Sequence, residues 1–354
     1  MFYTAAWCID GEDDFKKALP LELLGESMQR FPSGCGFTIV MLEGMNLLSR
    51  SYIRSLEESG FLILDYTAAF QKIIQEYPSL SIFYSRYERN CFLRWIAFMQ
   101  ICQTPARSGK QFWHLDSDVI LHTSLDRLVQ DSRGKTFMLQ GCPVFLTVSD
   151  FSWFIQYEQH LKKLDQDIPG YSERAFLQKE ICLQNDSGLF NQSLYRNPIG
   201  SDQDLLEYLV SSRQIPQDPR DTILDIDLYY IQNALSLKHW HRLQAPAGAV
   251  FEATENGQIS IGRKLIPFIH YQNTFTRFAG VFLLLRGLKV PDIIIRLILR
   301  YRIADEHFYT TFLFRLIARF NKSRRGGAIR KQVMGKMMSG GHLIIDLLNL
   351  LLQD

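Results

Sequence analysis

The sequence predicts an α/β fold, in which a mostly parallel sheet is covered by helices on both faces and is followed by a helical C-terminal extension. Two observations support this class. Short apolar runs alternate with amphipathic stretches from the first residue onward, a pattern typical of strand–helix–strand units. In addition, 47% of the 354 residues are hydrophobic and the formal net charge is only +2, whereas disordered chains have fewer apolar residues and more net charge. We therefore expect a folded globular protein.

Four short apolar runs bounded by polar or turn residues are predicted to be buried strands of this sheet. They are Met1–Trp7, Phe37–Leu42, Phe61–Leu64 and Gln111–Leu115. Apolar residues spaced three or four apart predict helices between them, at Asp14–Arg30, Asn46–Ser59 and Thr67–Tyr77. Gly60 follows the second helix, where a left-handed residue commonly ends a helix. Ligands of such sheets bind beyond the carboxyl ends of the strands, so the residues after Trp7 and Leu115 are the first candidates for chemistry.

Beyond residue 120 the pattern becomes α+β, and it is followed by a change in charge. Helices are predicted at 150–165, 172–180, 202–212 and 227–239, and strands at 259–261 and 265–269. From Val281 to Asp354 there are 13 basic and 5 acidic residues, a net charge of +8, whereas the preceding part has a net charge of −6. We therefore place a domain boundary near Gly280, with a catalytic domain over 1–278 and a basic amphipathic helical extension over 279–354.

The most informative segment is an acidic turn at the end of the fourth predicted strand. The apolar run ending at Leu115 leads into Asp116, Ser117 and Asp118, and a second apolar run follows at once. Two carboxylates two residues apart in such a turn are able to share one hard divalent cation, Mg²⁺ or Mn²⁺, which leaves coordination positions for substrate phosphates. The alternative is that Asp116 caps the following turn and that Asp118 is solvated.

Several further motifs, in this order along 1–278, resemble the GT-A glycosyltransferases, most closely the family-8-type retaining enzymes. The first strand, with Ala5 and Ala6, resembles the strand that lies under the nucleotide base. The other motifs are Tyr87–Trp95 with Arg89 and Arg94, Asp116–Asp118, Asn185–Phe190 with Asp186, Gly200–Leu206 with Asp202 and Gln203, and Pro267–Gln272 with His270. Where the family-8 pattern has a lysine this chain has Thr276, and the adjacent Arg277 is expected to supply the cation.

The resemblance implies a metal-dependent hexosyltransferase that moves a sugar, with retention of anomeric configuration, from a UDP-sugar to a glycan or lipid-linked acceptor. It implies a Mn²⁺ or Mg²⁺ cofactor bound by Asp116, Asp118 and His270, and catalytic roles for Asp202 and Gln203. The residues implied to contact the nucleotide-sugar are Ala5, Ala6, Arg89, Arg94, Asp116, Ser117, Asp186 and Arg277.

Each of these residues also has a structural interpretation. Arg94 lies in an apolar run, where a guanidinium is costly unless it meets an anion, so an internal ion pair is an equal alternative to a nucleotide contact. Arg89 fits a solvated surface position, and either Ser201 or Asp202 fits a helix N-cap. His270 fits a hydrogen-bonded core residue, and His114 is interpreted as a packing residue.

Two other functions remain open. The first is a nucleotidyltransferase, which also uses carboxylates at strand ends but typically needs a Gly-rich basic loop after the first strand; here that loop is acidic. The second is a GT-A-fold protein without turnover that binds a membrane or a partner. The acidic composition of residues 1–280 argues against a nucleic-acid groove there.

The cysteines and the N-terminus indicate a cytoplasmic protein. The six cysteines show no CxxC or CxH pairing, so neither a disulfide framework nor a thiolate zinc site is expected. The segment after Met1 has no basic region and soon becomes acidic, unlike a secretory signal. No run of 18 uncharged apolar residues predicts a membrane-spanning helix.

The basic extension indicates contact with an anionic surface. Over 286–336, arginines four residues apart, such as Arg296 and Arg300, lie on otherwise apolar predicted helices. Such helices suit a peripheral position on the inner face of an anionic membrane, with arginines reaching lipid phosphates. The alternative is that they pack on the catalytic domain or on a second copy of the chain, as a homo-oligomer.

Overall fold

A computed structural model describes most of the first two thirds of the chain. The described residues are 1–19, 21–105, 109–138, 143–185, 199–218, 251–253, 259–261, 264–265 and 267–270. They form two compact units. The first comprises Met1–Glu12, Gly34–Asp116 and the described part of Asp126–Leu224, and the second comprises Asp13–Ser33, Ser117–Leu125 and the described part of Asp225–Asp354. Within the described residues, no helix is long and apolar enough to cross a membrane.

The first unit is built on a six-stranded sheet, which confirms the predicted α/β class. Its strands are β1 (Phe2–Trp7), β2 (Phe37–Glu43), β3 (Phe61–Asp65), β4 (Phe112–Leu115), β6 (Phe137–Met138) and β7 (Phe145–Val148), and β5 (Val119–Leu121) belongs to the second unit. The order is β3-β2-β1-β4-β7-β6. β1 pairs in parallel with β2 and β4, and β2 pairs in parallel with β3. β7 pairs antiparallel with β4 and β6. The four predicted strands are therefore the parallel part of the sheet.

Ten α-helices are assigned to the described residues. They are α1 (Glu12–Ala18), α2 (Leu21–Arg30), α3 (Arg50–Glu58), α4 (Thr67–Glu76), α5 (Pro78–Phe83), α6 (Arg86–Cys102), α7 (Asp126–Ser132), α8 (Ser152–Gln166), α9 (Ile168–Asn185) and α10 (Asp202–Ser211). The central helix is α6, in which all residues from Asn90 to Met99 are buried. A helix that is apolar on all sides belongs in a core. Its first turn is fixed by a capping box between Ser85 and Glu88.

Two predicted helices differ from the observed ones for local reasons. The stretch predicted as one helix over Asp14–Arg30 forms α1 and α2, because a proline at position 20 disfavours helical geometry at the preceding residue. The start of the predicted Asn46–Ser59 helix is instead a 3₁₀ turn, Met45–Leu47. α3 begins only after Ser49, whose side chain accepts a hydrogen bond from the Tyr52 N–H at 3.2 Å. Gly60 has a φ of 98°, as predicted for the residue that ends this helix.

The second unit contains shorter strands. β8 (Phe251–Ala253), β9 (Ile259–Ile261) and β10 (Lys264–Leu265) form an antiparallel sheet, and β11 (Phe268–His270) pairs antiparallel with β5. The strand predicted at 265–269 is thus divided between β10 and β11. The hydroxyl of Ser27 on α2 accepts a hydrogen bond from the Leu121 N–H at 3.0 Å, which holds α2 against β5.

Several sequence-based predictions fall outside the described residues. They are the helix at 227–239, the domain boundary near 278, the nucleotide-sugar contacts of Asp186 and Arg277, and the basic segment 286–336. Contact of that segment with an anionic membrane, with the rest of the chain or with a second copy stays a prediction.

Candidate functional site

Two clusters of charged side chains in the first unit lie where parallel strands end. One is centred on Arg94 of α6, and the other on Glu43, the last residue of β2. In open α/β sheets the carboxyl ends of parallel strands form the usual ligand-binding edge. Both clusters therefore occupy the edge at which the sequence predicts chemistry.

Arg94 joins two aspartates that are far apart in the sequence. Its Nη1 lies 2.7 Å from Asp116 Oδ1, directly after β4, and its Nη2 lies 2.9 Å from Asp202 Oδ2, at the start of α10. The indole N–H of Trp95 donates to the same Asp202 oxygen at 2.9 Å. Arg94 thus forms an internal ion pair, and one of its two partners is Asp116, the first aspartate of the Asp-Ser-Asp (DxD) motif Asp116–Asp118.

The charges of this cluster depend on one another. Burial alone would lower the pKa of Arg94, but Asp202 and Asp116 raise it well above its ordinary value, so the guanidinium stays charged. Burial raises the pKa of Asp202, and Arg94 and the Trp95 N–H oppose that effect. The guanidinium also lies 4.7 Å from the centroid of the Trp95 ring, within cation–π range. One buried cation therefore holds two carboxylates in place.

His114 supports Asp116 from within the sheet. Its ring is fully buried and packs edge-on against Trp95 at 5.0 Å between centroids. Nδ1 lies 2.9 Å from the Tyr3 carbonyl oxygen and Nε2 lies 3.0 Å from Asp116 Oδ1. Burial lowers the pKa of His114. The sequence predicted packing but missed the contact with Asp116, although alternation along a strand places residues two apart on the same face.

Glu43 is the centre of the second cluster, which sequence reasoning missed. It accepts hydrogen bonds from Arg86 Nε at 2.9 Å, Arg89 Nη2 at 3.2 Å and Asn90 Nδ2 at 2.6 Å. The β1–β2 register shifts at this point, so that Trp7 lies opposite Glu43; such irregularities re-aim side chains. The available signal was an acidic residue directly after an apolar run. Arg89, predicted to face a diphosphate, is paired with Glu43 here.

This cluster predicts a pH-dependent loss of stability. Burial raises the pKa of Glu43, but hydrogen bonds from Arg86 and Asn90 and the charges of both arginines outweigh it, so the net pKa is lowered from its ordinary value. A lowered carboxyl pKa contributes stability above the ordinary value of 4.5, and that contribution is lost as the pH falls through the lower folded-state value. Glu43→Gln should therefore lower the free energy of unfolding at pH 7 by about 1–3 kcal/mol.

Urea unfolding at pH 7 and at several values below pH 4.5 tests this. The difference between wild type and Glu43→Gln should be largest at pH 7 and should shrink as the pH falls. Glu57→Gln, on the exposed side of α3, is the matched control and should change little at any pH. A difference that stays constant with pH would contradict the assigned role of the Glu43 charge.

The second unit contains two of the predicted metal ligands. β11 pairs with β5 so that His270 lies opposite Val119, the residue directly after Asp118. The backbone therefore places His270 beside the second aspartate of the motif. Ser117 is buried in this unit. In the first unit, Oδ1 of Asp116 already contacts Arg94 and His114. Among the side chains that the structure describes, which do not include that of His270, no group of three or more His, Cys, Asp or Glu residues could hold a metal ion.

The other predicted site residues lie on the elements named above. Ala5 and Ala6 are buried in β1, paired with Val40 and Met41 of β2. Gln203 is in the first turn of α10. Asp202 does not cap this helix, because Ser201 is the N-cap and its N–H donates to the Asp204 carboxylate at 3.0 Å. Asp202 is only 2% exposed, and its carboxylate instead pairs with Arg94 and accepts a hydrogen bond from Trp95.

The comparisons with known proteins found similarity to solved structures, among them two glycosyltransferases. No protein-family model and no curated protein sequence matches the chain. The chain is similar to mouse Xyloside xylosyltransferase 1 in its apo form, with 13% identity over 69% of this chain and 90% of that chain, and a TM-score of 0.39. It is also similar to PaToxG Glycosyltransferase, with 12% identity over 62% of this chain and 81% of that chain, and a TM-score of 0.33. Similarity at this level does not assign a function to the chain.

Proposed function

We propose that the protein is a metal-dependent glycosyltransferase that moves a hexose from a UDP-sugar to a glycan or lipid-linked acceptor. The observation that supports this most strongly is the Arg94 bridge between Asp116 and Asp202. Asp116 belongs to the motif that resembles the diphosphate-binding DxD, and Asp202 to the motif that resembles the D-Q of the sugar site. A donor sugar and its diphosphate need both motifs at one place, and Arg94 unites an aspartate of each.

In this proposal the carboxylates act on charge that develops during transfer. The transition state resembles an oxocarbenium ion, and in a retaining enzyme a carboxylate beside the anomeric carbon stabilises its positive charge; in an inverting enzyme the same carboxylate would deprotonate an acceptor hydroxyl. Asp202 and Gln203 at the start of α10 are proposed for this part of the site. Arg94 and Trp95 fix the orientation of Asp202 before substrate binds, which is what preorganised electrostatic catalysis requires. The family-8-type resemblance supports retention of configuration.

The proposed cofactor is Mn²⁺ or Mg²⁺. Asp118 and His270 are proposed ligands together with Asp116, and the support for this is that His270 pairs with Val119, the residue directly after Asp118. A neutral imidazole and carboxylate oxygens are a suitable donor set for such ions. When bound, the cation would neutralise the diphosphate and so improve it as a leaving group. Arg94 and His114 both contact Oδ1 of Asp116 and so orient this carboxylate.

Donor hydrolysis is the most direct experiment. The full chain, incubated with a panel of UDP-sugars, is expected to release UDP in the presence of Mn²⁺ or Mg²⁺ and to lose this activity when EDTA is added, because the uncompensated diphosphate is a poor leaving group. NMR of the first sugar product should show the anomer of the donor. A product of inverted configuration would contradict retention without affecting the assignment as a transferase.

The same assay separates the two alternatives. A nucleotidyltransferase would release pyrophosphate from a nucleoside triphosphate and would leave UDP-sugars intact. A binding protein without turnover would bind a UDP-sugar in calorimetry and would release no UDP with any metal. Either result would contradict the proposed glycosyl transfer.

A further inference from the structure

An apolar groove lies on the first unit beside the charged clusters. It lies between the end of α5 and the first two turns of α9, and its cavity volume is about 480 Å³. This falls in the range of small-molecule sites. The lining residues are Phe83, Tyr84, Ile168, Pro169, Ser172, Glu173, Phe176 and Ile199.

The groove exposes apolar surface and has a fixed wall. Phe83 lines the groove and is 59% exposed, so its ring offers apolar surface to a ligand. The next residue, Tyr84, donates its hydroxyl hydrogen to the Ile199 carbonyl oxygen at 2.7 Å, and its ring packs on Phe92 with centroids 4.9 Å apart. These two contacts fix the Tyr84 side chain in the lining of the groove.

Two lining residues, Ile199 and Tyr84, lie close along the chain to residues of the two charged clusters. Ile199 lies three residues before Asp202, a distance of at most about 11 Å along the chain. Tyr84 lies two residues before Arg86, which binds Glu43. A ligand with its apolar end in the groove is thus able to present its polar end near Asp202.

We propose that this groove binds the apolar aglycone of a neutral glycoside acceptor, with the acceptor sugar directed towards Asp202. The proposal rests on the proposed glycosyl transfer and specifies its acceptor. The exposed carboxylate of Glu173 in the lining would repel a phosphate at close range. An alkyl glycoside without a phosphate therefore fits the groove better than a lipid-phosphate-linked acceptor.

Saturation-transfer NMR with octyl β-glucoside, below its micellar concentration, tests binding independently of activity. With the full chain, the octyl protons should receive saturation. Phe83→Ser should weaken binding at least tenfold, because it removes an exposed ring from the lining. Ile82→Ser is the matched control, since Ile82 is 79% exposed and lies next to Phe83 but outside the lining. Octyl phosphate should bind at least tenfold more weakly than octyl glucoside, and Glu173→Gln should reduce this difference.

Measurements of enzymatic activity then test the groove proposal separately from the proposed function. Phe83→Ser should raise the KM for octyl glucoside at least tenfold while hydrolysis of the UDP-sugar alone is unchanged. If UDP-sugar hydrolysis is normal but Phe83→Ser and Ile82→Ser bind octyl glucoside equally, the groove proposal is overturned and the proposed function stands. If no UDP-sugar is hydrolysed, the acceptor role is overturned together with the proposed function, even if octyl glucoside binds.

Discussion

Arg94→Met is expected to lower the free energy of unfolding by about 3–5 kcal/mol at pH 7. The substitution keeps an unbranched side chain of similar length but removes the charge that Asp116 and Asp202 share. Asp202 is 2% exposed, so it has no access to water that would replace the guanidinium. Removing one partner of a buried ion pair leaves the other charge uncompensated, which costs more than the pair contributes. Urea unfolding of the purified variant measures the effect.

Two further variants make this result specific. Arg127→Met removes an arginine that is 77% exposed and forms a surface pair with Asp131 on α7; it should cost less than about 1 kcal/mol. The double variant Arg94→Met/Asp202→Asn should be more stable than Arg94→Met alone, because one of the two unpaired charges is gone. Equal losses from Arg94→Met and Arg127→Met would show that the buried network does not stabilise the fold.

Substitution of either aspartate of the DxD motif is expected to lower activity, but only substitution of Asp116 is expected to lower stability as well. Asp118→Ala should lower UDP-sugar hydrolysis at least about a hundredfold, equivalent to about 2.7 kcal/mol of transition-state stabilisation, because it removes a proposed oxygen ligand of the cation. Its free energy of unfolding should change by less than about 1 kcal/mol. Asp116→Ala should lose similar activity and about 3 kcal/mol of stability as well, since it also leaves Arg94 without one carboxylate.

Asp65→Ala is the control for this pair. Asp65 also ends a parallel strand, β3, but its side chain is exposed. It accepts a hydrogen bond from the nearby Thr67 N–H. Its substitution should leave hydrolysis within about twofold of wild type. Full activity in Asp118→Ala would remove the basis for metal-dependent transfer, and equal stability of the two motif variants would contradict the Arg94–Asp116 assignment.

The parallel half of the sheet could be predicted because each of its strands is marked by a pattern in its own stretch of sequence. β1 to β4 are short apolar runs between polar residues. This pattern can be recognised without knowing which strands pair with one another. The antiparallel strands β6 and β7 were missed. β6 has only two residues, Phe137–Met138, and its pairing with β7 gives no periodicity that a sequence pattern would detect.

In the candidate site too, local features could be predicted from the sequence and long-range contacts could not. The cost of burying Arg94 predicts that an anion must be near, and this is a property of one apolar helix. The identity of its partners is a tertiary fact, because Asp116 is 22 residues and Asp202 is 108 residues further along the chain. Glu43 was missed because its arginines are 43 and 46 residues away, and nothing in its own neighbourhood distinguishes it from a solvated strand end.

The interior place of β1 in the sheet constrains the order of folding. β1 lies between β2 and β4, and Tyr3 meets its partner His114 only across 111 residues of chain. Closing so long a loop costs conformational entropy before the strand contacts form and offset it. Such non-local pairing slows folding. During synthesis, both edges of β1 stay unpaired until first β2 and then β4 has emerged. We therefore expect the β1–β2–β3 segment to form early, with an apolar strand edge that chaperones protect until α6 and β4 complete the core.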